Sequence, residues 1–359
     1  MKDKLTYLWL LCLLSLAACV DTIRFEPDPD DLQIVVYGQV TTHPGPTRIK
    51  IGRVQAFGSA AVVPVRSARV ILKSDAGEEE AFAESEAGLY ETKGEIIRGT
   101  VGRAYWVEIK LVDGREIYSR PEVLPAVPTM DSLSLVFTDK ILPRSRGLAE
   151  FQKFVDAYVS TPIPQQEKGP YLRWESEDAW SFTERDDPRS PFDVPKICYR
   201  LHQKPNPQAI ILFNGDELKV DQWASQFIAS RRIDSTFSER HYFLAFQYSM
   251  TEEAWRYWSQ LDEVANLVGS IFDRPPALIQ GNLYNPNDPK DLVLGYVEAN
   301  AVDTAFNFVL PLNFAPWRLE DRYCPTLPWL PNMILPRICY NCMRREAEFV
   351  YDRPYYWGQ

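Results

Sequence analysis

The sequence predicts a mainly β protein: an N-terminal Ig-like (prealbumin-like) β-sandwich, followed by a larger β-rich α+β domain with one clear helix. Two patterns predict it. Short runs of alternating apolar and polar residues, separated by glycine turns, fill the first part of the chain. In the second part, further runs of this kind surround one segment with helical spacing. We therefore expect the sandwich over residues 32–125 and the second domain over residues 126–359.

Alternation is clearest in two segments of the predicted sandwich. The apolar positions are Ala68, Val70 and Leu72 in one segment, and Tyr105, Val107, Ile109 and Leu111 in the other. Because successive side chains of a strand point to opposite faces, each segment predicts a strand with one buried face. Asp113-Gly114, which follows the second segment, is typical of a tight hairpin turn. Turn signals at this spacing predict about seven strands.

A proline-rich connector ends the sandwich. Pro121, Pro125 and Pro128 exclude a helix and predict a stiff link. Beyond it, the sequence predicts strands at 132–137 and 149–161, a strand pair at 171–174 and 180–182, and a solvated loop at 184–195. A cation site at Asp186 and Asp187 is the alternative for this loop.

One helix is predicted within residues 249–269. Ser249 and Glu252 form a capping-box pattern, and Gly269 fits the stop. One face of the helix carries Trp255, Trp258, Leu261, Ala265 and Val268. An aromatic stripe at this spacing is typical of a helix packed on a core, and a platform for a sugar ring is the alternative.

A loop rich in Asn and Asp lies near residue 288. Asn285, Asn287, Asp288 and Asp291 carry the oxygen types that calcium prefers, but they lack the spacing of a calcium loop. We therefore expect a hairpin connection between two strands.

The first eighteen residues have the pattern of a signal peptide. Lys2 and Lys4 precede an apolar run that is too short to span a bilayer comfortably. The run ends in LAAC, the bacterial lipobox pattern, which predicts cleavage before Cys19 and lipidation of its thiol. A plain signal peptide with an incidental cysteine is the alternative. Residues 19–31 are acidic and contain two prolines, so they predict an extended tether. We therefore expect a lipid-anchored protein. The acidic residues after Cys19 resemble the surface-export signal of Bacteroidota lipoproteins, which implies an anchor facing the exterior, and a solvated linker is the alternative.

Four cysteines remain after Cys12 and Cys19, and they are Cys198, Cys324, Cys339 and Cys342. An even number in an exported chain indicates disulfides, and four cysteines allow three pairings. The CxxC pair at 339 and 342 could instead be redox-active or half of a zinc site. Zinc, however, requires a second close pair of ligands, and thioredoxin-type chemistry requires a strand-to-helix turn. We therefore expect two disulfides of undetermined connectivity.

Composition argues against several functional classes. The formal net charge is −10, and no lysine or arginine cluster offers a footprint for nucleic acid. His43, His202 and His241 are widely spaced, which leaves little for histidine-based metal or proton chemistry. The sequence contains no Ser/His/Asp arrangement, paired-carboxylate motif or phosphate-cradling loop. We expect a non-catalytic protein with no cofactor, metal or nucleic-acid partner.

The C-terminal tail is unusually aromatic. Tyr351, Tyr355, Tyr356 and Trp357 follow the last cysteine, and aromatic side chains are typical anchors of protein interfaces. We predict that this cluster contacts a partner. The alternative is that the cysteines hold the tail against the second domain and bury its aromatic rings as core.

Eight features in a common order resemble an uncharacterised family of Bacteroidota lipoproteins, domain of unknown function 4249. Besides the lipobox they include LQIVVYGQVTTHPGPTRIKI, VGRAYWVEIKL, PAVPTMDSL, FQYSMTEEAWRYWSQL, GSIFDRPPALIQGNLYNPNDPKDLVLGYVEA, and CYNC followed by RPYYW. The resemblance covers nearly the whole mature chain. The sequence departs from the family pattern after the last CxxC, where residues 343–348 replace the glycine-rich turn that the family usually carries.

The resemblance implies an outer-membrane lipoprotein. Members of the family are often encoded beside a TonB-dependent receptor, and none of their residues has an agreed catalytic role. We therefore expect a non-catalytic accessory binding subunit associated with such a receptor. A polysaccharide-binding adhesin and a CxxC thiol oxidoreductase are the alternatives.

Overall fold

The computed structural model describes residues 32–55, 62–143, 149–164, 169–190, 192–204, 209–217, 222–266, 279–311, 324, 335–344 and 348–358. The predicted signal peptide, Cys19 and the tether 19–31 lie outside these residues. The mainly β prediction is confirmed, since the described residues form four β-sheets and one α-helix. None of the described helices has the length and apolar character needed to span a membrane.

The strands in chain order are β1 (Leu32–Thr41), β2 (Arg48–Gln55), β3 (Val63–Pro64), β4 (Arg69–Ser74), β5 (Glu79–Ala81), β6 (Ala83–Glu86), β7 (Leu89–Glu91), β8 (Ala104–Lys110), β9 (Glu116–Ser119), β10 (Glu122–Val123), β11 (Ser132–Pro143), β12 (Ala149–Pro162), β13 (Tyr171–Thr183), β14 (Ile197–Gln203), β15 (Ile211–Asn214), β16 (Trp223–Arg232), β17 (His241–Met250), β18 (Leu283–Tyr284), β19 (Leu294–Asn300), β20 (Val302–Val309) and β21 (Phe349–Val350). The helix α1 (Glu252–Ala265) lies between β17 and β18.

The first two sheets form two layers over one hydrophobic core. One sheet has the order β19-β1-β2-β7-β6, and the other has the order β18-β9-β8-β4-β5. The predicted alternation is confirmed, because Val107 and Ile109 of β8 are buried while Trp106 and Glu108 between them are partly exposed. The predicted hairpin at Asp113-Gly114 joins β8 to β9. The Ig-like topology of this sandwich stays a prediction.

Two strands of the later chain complete these sheets. β19 lies parallel to β1, and β18 pairs with β9, so the pairing crosses the predicted boundary at residue 125. Leu283 and Val297 lie in the same core as Ile49 of β2. The close approach of β19 depends on Gly295, whose φ is +100° and whose Cβ, if present, would lie 1.9 Å from the backbone oxygen of Val36.

The third and fourth sheets share a second core. The third sheet has the order β11-β12-β16, and the fourth has the order β20-β17-β13-β14-β21. Trp174 of β13 and Phe243 of β17 are fully buried in that core with Val155 of β12. The segments at 171–174 and 180–182, predicted as a strand pair, belong instead to the single strand β13, which pairs with β17 over ten residues.

The predicted helix is present, but its predicted cap was wrong. Thr251 is the N-cap, and its hydroxyl accepts a hydrogen bond from the backbone N–H of Ala254 at 3.1 Å. Ser249 lies in β17, where its hydroxyl donates to the carbonyl of Pro125 at 2.7 Å. Trp255 and Trp258 pack partly buried against a core, as the helical spacing predicted. Val268 and Gly269 lie outside the described residues.

The prediction of a hairpin at residues 285–291 was wrong. The two strands that this loop joins, β18 and β19, belong to different sheets. The polar side chains of the loop bond to one another, since the Asn285 amide donates to Asp291 at 2.8 Å and its oxygen accepts the N–H of Asn287 at 2.9 Å.

Candidate functional site: an arginine-lined cleft beside the disulfides

The four cysteines form the two predicted disulfides. Cys198 is bonded to Cys342 and Cys324 to Cys339, with Cα–Cα distances of 6.4 and 5.4 Å. All four cysteines are fully buried. The CxxC cysteines at 339 and 342 are therefore bonded to different partners, and they do not form the ring that a thioredoxin-like pair closes.

Glu184 holds the disulfide-linked segment in place. Its carboxylate accepts hydrogen bonds from the backbone N–H groups of Cys342 at 3.1 Å and Lys196 at 3.0 Å, and from the Tyr351 hydroxyl at 3.3 Å. Glu184 also lies 4.0 Å from the sulfur of Cys198. Glu184, Cys198 and Cys342 bring three potential metal-ligand atoms within 4.8 Å of one another. Because the two sulfurs are bonded to each other, neither is a thiolate ligand in this state.

A polar cleft of about 320 Å³ opens between the loop at 184–195 and the segment at 337–344. The two segments are hydrogen-bonded to each other, since the N–H of Arg185 donates to the carbonyl of Cys339 at 2.8 Å. Four arginines line the cleft, and they are Arg185, Arg189, Arg337 and Arg344. The polar residues Ser190, Tyr340 and Asn341 complete much of the wall.

One arginine of the cleft is neutralised. Arg189 binds the carboxylate of Asp187 through two nitrogens, at 2.8 and 3.1 Å. These hydrogen bonds, with a smaller contribution from the nearby Arg337, lower the pKa of Asp187 below its ordinary value. The guanidinium of Arg189 also lies 5.0 Å from the ring centroid of Tyr340, a cation–π contact that orients its side chain.

The other three arginines form no direct ion pair with a carboxylate among the residues that the structure describes, although Arg337 is near enough to Asp187 to affect its pKa. Arg185 donates to the backbone carbonyl of Cys324 at 3.4 Å, while Arg337 and Arg344 are exposed. Of the acidic lining residues, Glu184 is held by its N–H and hydroxyl donors and Asp187 by Arg189. That leaves the exposed Asp193 as the one acidic lining residue whose carboxylate has neither a hydrogen-bond donor nor an ion pair among the described residues. The cleft is therefore locally cationic.

The four aromatic residues of the predicted interface lie in two different environments. Tyr356 and Trp357 are only 5% and 9% exposed. Their ring centroids lie 5.3 and 4.6 Å from that of Tyr242. Tyr351 and Tyr355 are 38% and 70% exposed. Tyr356 and Trp357 are thus buried as core, as the alternative prediction for the tail had it, whereas Tyr351 and Tyr355 remain at the surface.

Further apolar side chains are exposed on the segments that build the cleft. They are Phe192, Val194, Ile197 and Met343, with exposures of 95%, 79%, 47% and 43%. Val194 lines the cleft itself, and Met343 adjoins Arg344. With Tyr351, whose hydroxyl donates to Glu184, these residues form what we call the C-terminal face. Tyr355 instead contacts Tyr356, which packs with Tyr199 and Tyr242 in a separate core cluster. Sequence reasoning missed the cleft, because its arginines occupy two segments far apart in the chain, and only their proximity in space makes a cluster.

A buried histidine and aspartate elsewhere in the fold contact each other. The ring of His241 lies between Phe237 and Trp180, and its Nε2 lies 3.2 Å from Asp178. Arg231 also contacts Asp178, at 3.0 Å. Because His241 and Asp178 are both fully buried, this pair links β17 to β13 and is out of reach of a substrate.

Trp255 and Trp258 line a second region of cavities beside β15 and β16, with volumes of about 500 and 150 Å³. Both rings are partly buried, and Arg173 lies 4.5 Å above the ring of Trp258. The charge of Arg173 is already balanced by Glu175 at 2.5 Å and Glu298 at 3.3 Å. The arginine-lined cleft, with its unpaired charges, is therefore the stronger candidate site.

The chain belongs to the family described as Domain of unknown function (DUF4249), whose sequence model matches residues 20–305. The loop at 184–195 lies within the match, while the segment at 337–344 lies beyond it. No curated protein matches this chain.

Proposed function

We propose that this family member is a lipid-anchored lipoprotein of the outer membrane that serves as a non-catalytic accessory binding subunit of a TonB-dependent receptor. The lipobox at Leu16 to Cys19 supports the anchor. Each buried CH₂ of an acyl chain contributes about 0.8 kcal/mol, so two or more chains hold a protein stably at a membrane. The receptor is the partner that the sequence resemblance implies.

The observation that carries the binding role is the C-terminal face. Phe192 and Val194 are almost entirely exposed on a loop, where burial of such side chains against a partner would stabilise a complex. Tyr351 adds an aromatic ring, and aromatic rings bury a large area at a small cost in conformational entropy. The two ends of the loop are held together, since Glu184 accepts the N–H of Lys196 and the adjoining Cys198 is bonded to Cys342. Fixed ends reduce the conformational freedom that the loop would lose on binding.

Surface variants test this role without disturbing the core. Phe192→Ser combined with Val194→Ser should leave the melting temperature unchanged and abolish co-purification of an outer-membrane receptor in mild detergent. The matched control is Phe151→Ser combined with Val112→Ser, since these residues are 76% and 75% exposed on other strands and turns. That control should retain the receptor.

Two results would reject the proposal. The first is that the stable wild-type protein captures no outer-membrane receptor. The second is that the C-terminal-face variant captures a receptor as well as the wild type does.

A further inference from the structure

We infer that the arginine-lined cleft binds a sugar carboxylate. This deepens the function proposed above, on which it rests, by naming the ligand class that the accessory subunit would capture.

The charge of the cleft is opposite in sign to the net charge of the chain. The protein has 49 acidic and 39 basic side chains, so its carboxylates outnumber its cations. Even so, Arg185, Arg337 and Arg344 line one cleft without a direct ion pair to a carboxylate among the described residues. A guanidinium does not lose its proton in proteins, and it presents several donors in a planar fork. Such a group, held in a concave site, is suited to an external oxyanion.

The acidic residues of the cleft favour a singly charged oxyanion. Asp193 and Asp187 line the same space, and they would repel a phosphate dianion more strongly than a monoanion. Among monoanions, a carboxylate matches the arginine fork with two parallel hydrogen bonds. The Arg189–Asp187 pair already shows this geometry within the cleft, at 2.8 and 3.1 Å.

The rest of the lining favours a hydroxylated ligand. Ser190 and Asn341 place a hydroxyl and an amide in the wall, and both groups can donate and accept hydrogen bonds. The volume of about 320 Å³ is at the small end of the range of ligand pockets. A sugar acid combines a carboxylate with several hydroxyls at this size. It would enter either as a free monosaccharide or as one residue of an acidic oligosaccharide.

The site is also pre-organised. Both disulfides anchor the segment at 337–344, and the carboxylate of Glu184 fixes the N–H of Cys342 at 3.1 Å. A rigid wall loses little conformational freedom when a ligand binds, so even a small ligand can be held with useful affinity.

Isothermal titration calorimetry on the detergent-solubilised full-length protein tests the inference. The probes are galacturonate, tri-galacturonate and the neutral trisaccharide galactotriose, at low salt. Hydrogen bonds to a charged group contribute about 1.5–3 kcal/mol, so Arg337→Gln combined with Arg344→Gln should weaken binding of the acidic probe by at least about tenfold. Added salt should weaken it as well. The control is Arg66→Gln, at an exposed arginine of the first sandwich, and it should bind as the wild type does.

Binding of galacturonate and of its trimer with similar affinity would identify a free sugar acid, and binding of the trimer alone would identify an acidic glycan. Both results support the inference. It is overturned if neither acidic probe binds the wild type, if galactotriose binds equally well, or if the double variant retains wild-type affinity. The titration contains no receptor, so a failed receptor capture and a failed sugar titration are separate results.

Discussion

The disulfide between Cys198 and Cys342 joins β14 to a segment 144 residues further along the chain. The N–H of Cys342 donates to Glu184, which also accepts a hydrogen bond from the N–H of Lys196, just before β14. One covalent link and one buried carboxylate therefore place the C-terminal segment against the loop at 184–195. The cleft exists only because these two segments are held together.

Removal of the long-range disulfide should destabilise the protein more than removal of the short-range one. The sequence separations are 144 and 15 residues. Loop-closure entropy predicts losses of about 5 kcal/mol for Cys198→Ala with Cys342→Ala, and about 3 kcal/mol for Cys324→Ala with Cys339→Ala. Urea denaturation measures both. Equal losses, or four alkylatable thiols in the denatured and unreduced wild type, would contradict the pairing.

The tail should contribute to stability through Trp357 and not through Tyr355. Trp357→Ala removes a ring packed on Tyr242 and Tyr199, with centroids 4.6 and 4.9 Å away, so it should cost about 3 kcal/mol of unfolding free energy. Tyr355→Ala removes a ring that is 70% exposed and should change stability by no more than about 0.5 kcal/mol. Denaturation followed by circular dichroism separates them. If the tail instead unfolds independently of the domain, both substitutions should change the free energy of unfolding only slightly, which would contradict this prediction.

Glu122 should make stability fall as pH rises. It is 4% exposed, accepts a hydrogen bond from the Tyr296 hydroxyl at 3.1 Å, and also accepts one from Thr251, the cap of α1. Burial, with smaller contributions from Glu298 and Glu253, raises the pKa of Glu122 from 4.5 to about 7. The folded state therefore binds this proton more tightly than the unfolded state does. Its contribution is fully present below pH 4.5 and is lost as pH rises through about 7.

The size of that contribution follows from the shift of the pKa, and it is about 3 kcal/mol. Glu122→Gln removes the titration while keeping a polar side chain. Its free energy of unfolding, relative to wild type, should increase by about that amount between pH 4.5 and pH values above 7. Glu86→Gln, at an exposed carboxyl, is the control and should run parallel to wild type. If the Glu122→Gln curve is also parallel to wild type, Glu122 does not titrate in this range.

Replacement of Cys19 should release the protein from the membrane. Cys19→Ala removes the thiol that the lipobox pattern predicts to be lipidated. The variant should therefore appear in a soluble fraction after cell lysis. Cys12→Ala is the matched control, since Cys12 lies in the predicted signal peptide and its loss should leave the protein with the membranes. A Cys19→Ala protein that still requires detergent for extraction would rule out lipidation as the anchor.

Local patterns in the sequence predicted β-strands and one helix that the structure contains, although they divided β13 into two strands and placed the helix cap at Ser249. The buried Val107 and Ile109 alternate with the partly exposed Trp106 and Glu108 because the side-chain direction of a strand is set by neighbouring residues alone. The turn at Asp113-Gly114 is equally local, since Gly114 adopts a φ of +92° that favours glycine. The even cysteine count likewise predicted two disulfides without any knowledge of the fold.

Contacts between distant residues were decided only by the tertiary structure. The parallel pairing of β19 with β1 joins residues about 260 positions apart, and nothing within either strand identifies its partner. Ser249 and Thr251 both offer hydroxyls for a helix cap, and the pairing of β17 with β13 assigns Ser249 to the sheet. In the same way, four cysteines permit three pairings, and the four arginines of the cleft are two local pairs until the chain folds. A single sequence carries strong signals for local geometry, whereas long-range proximity depends on how whole sheets pack.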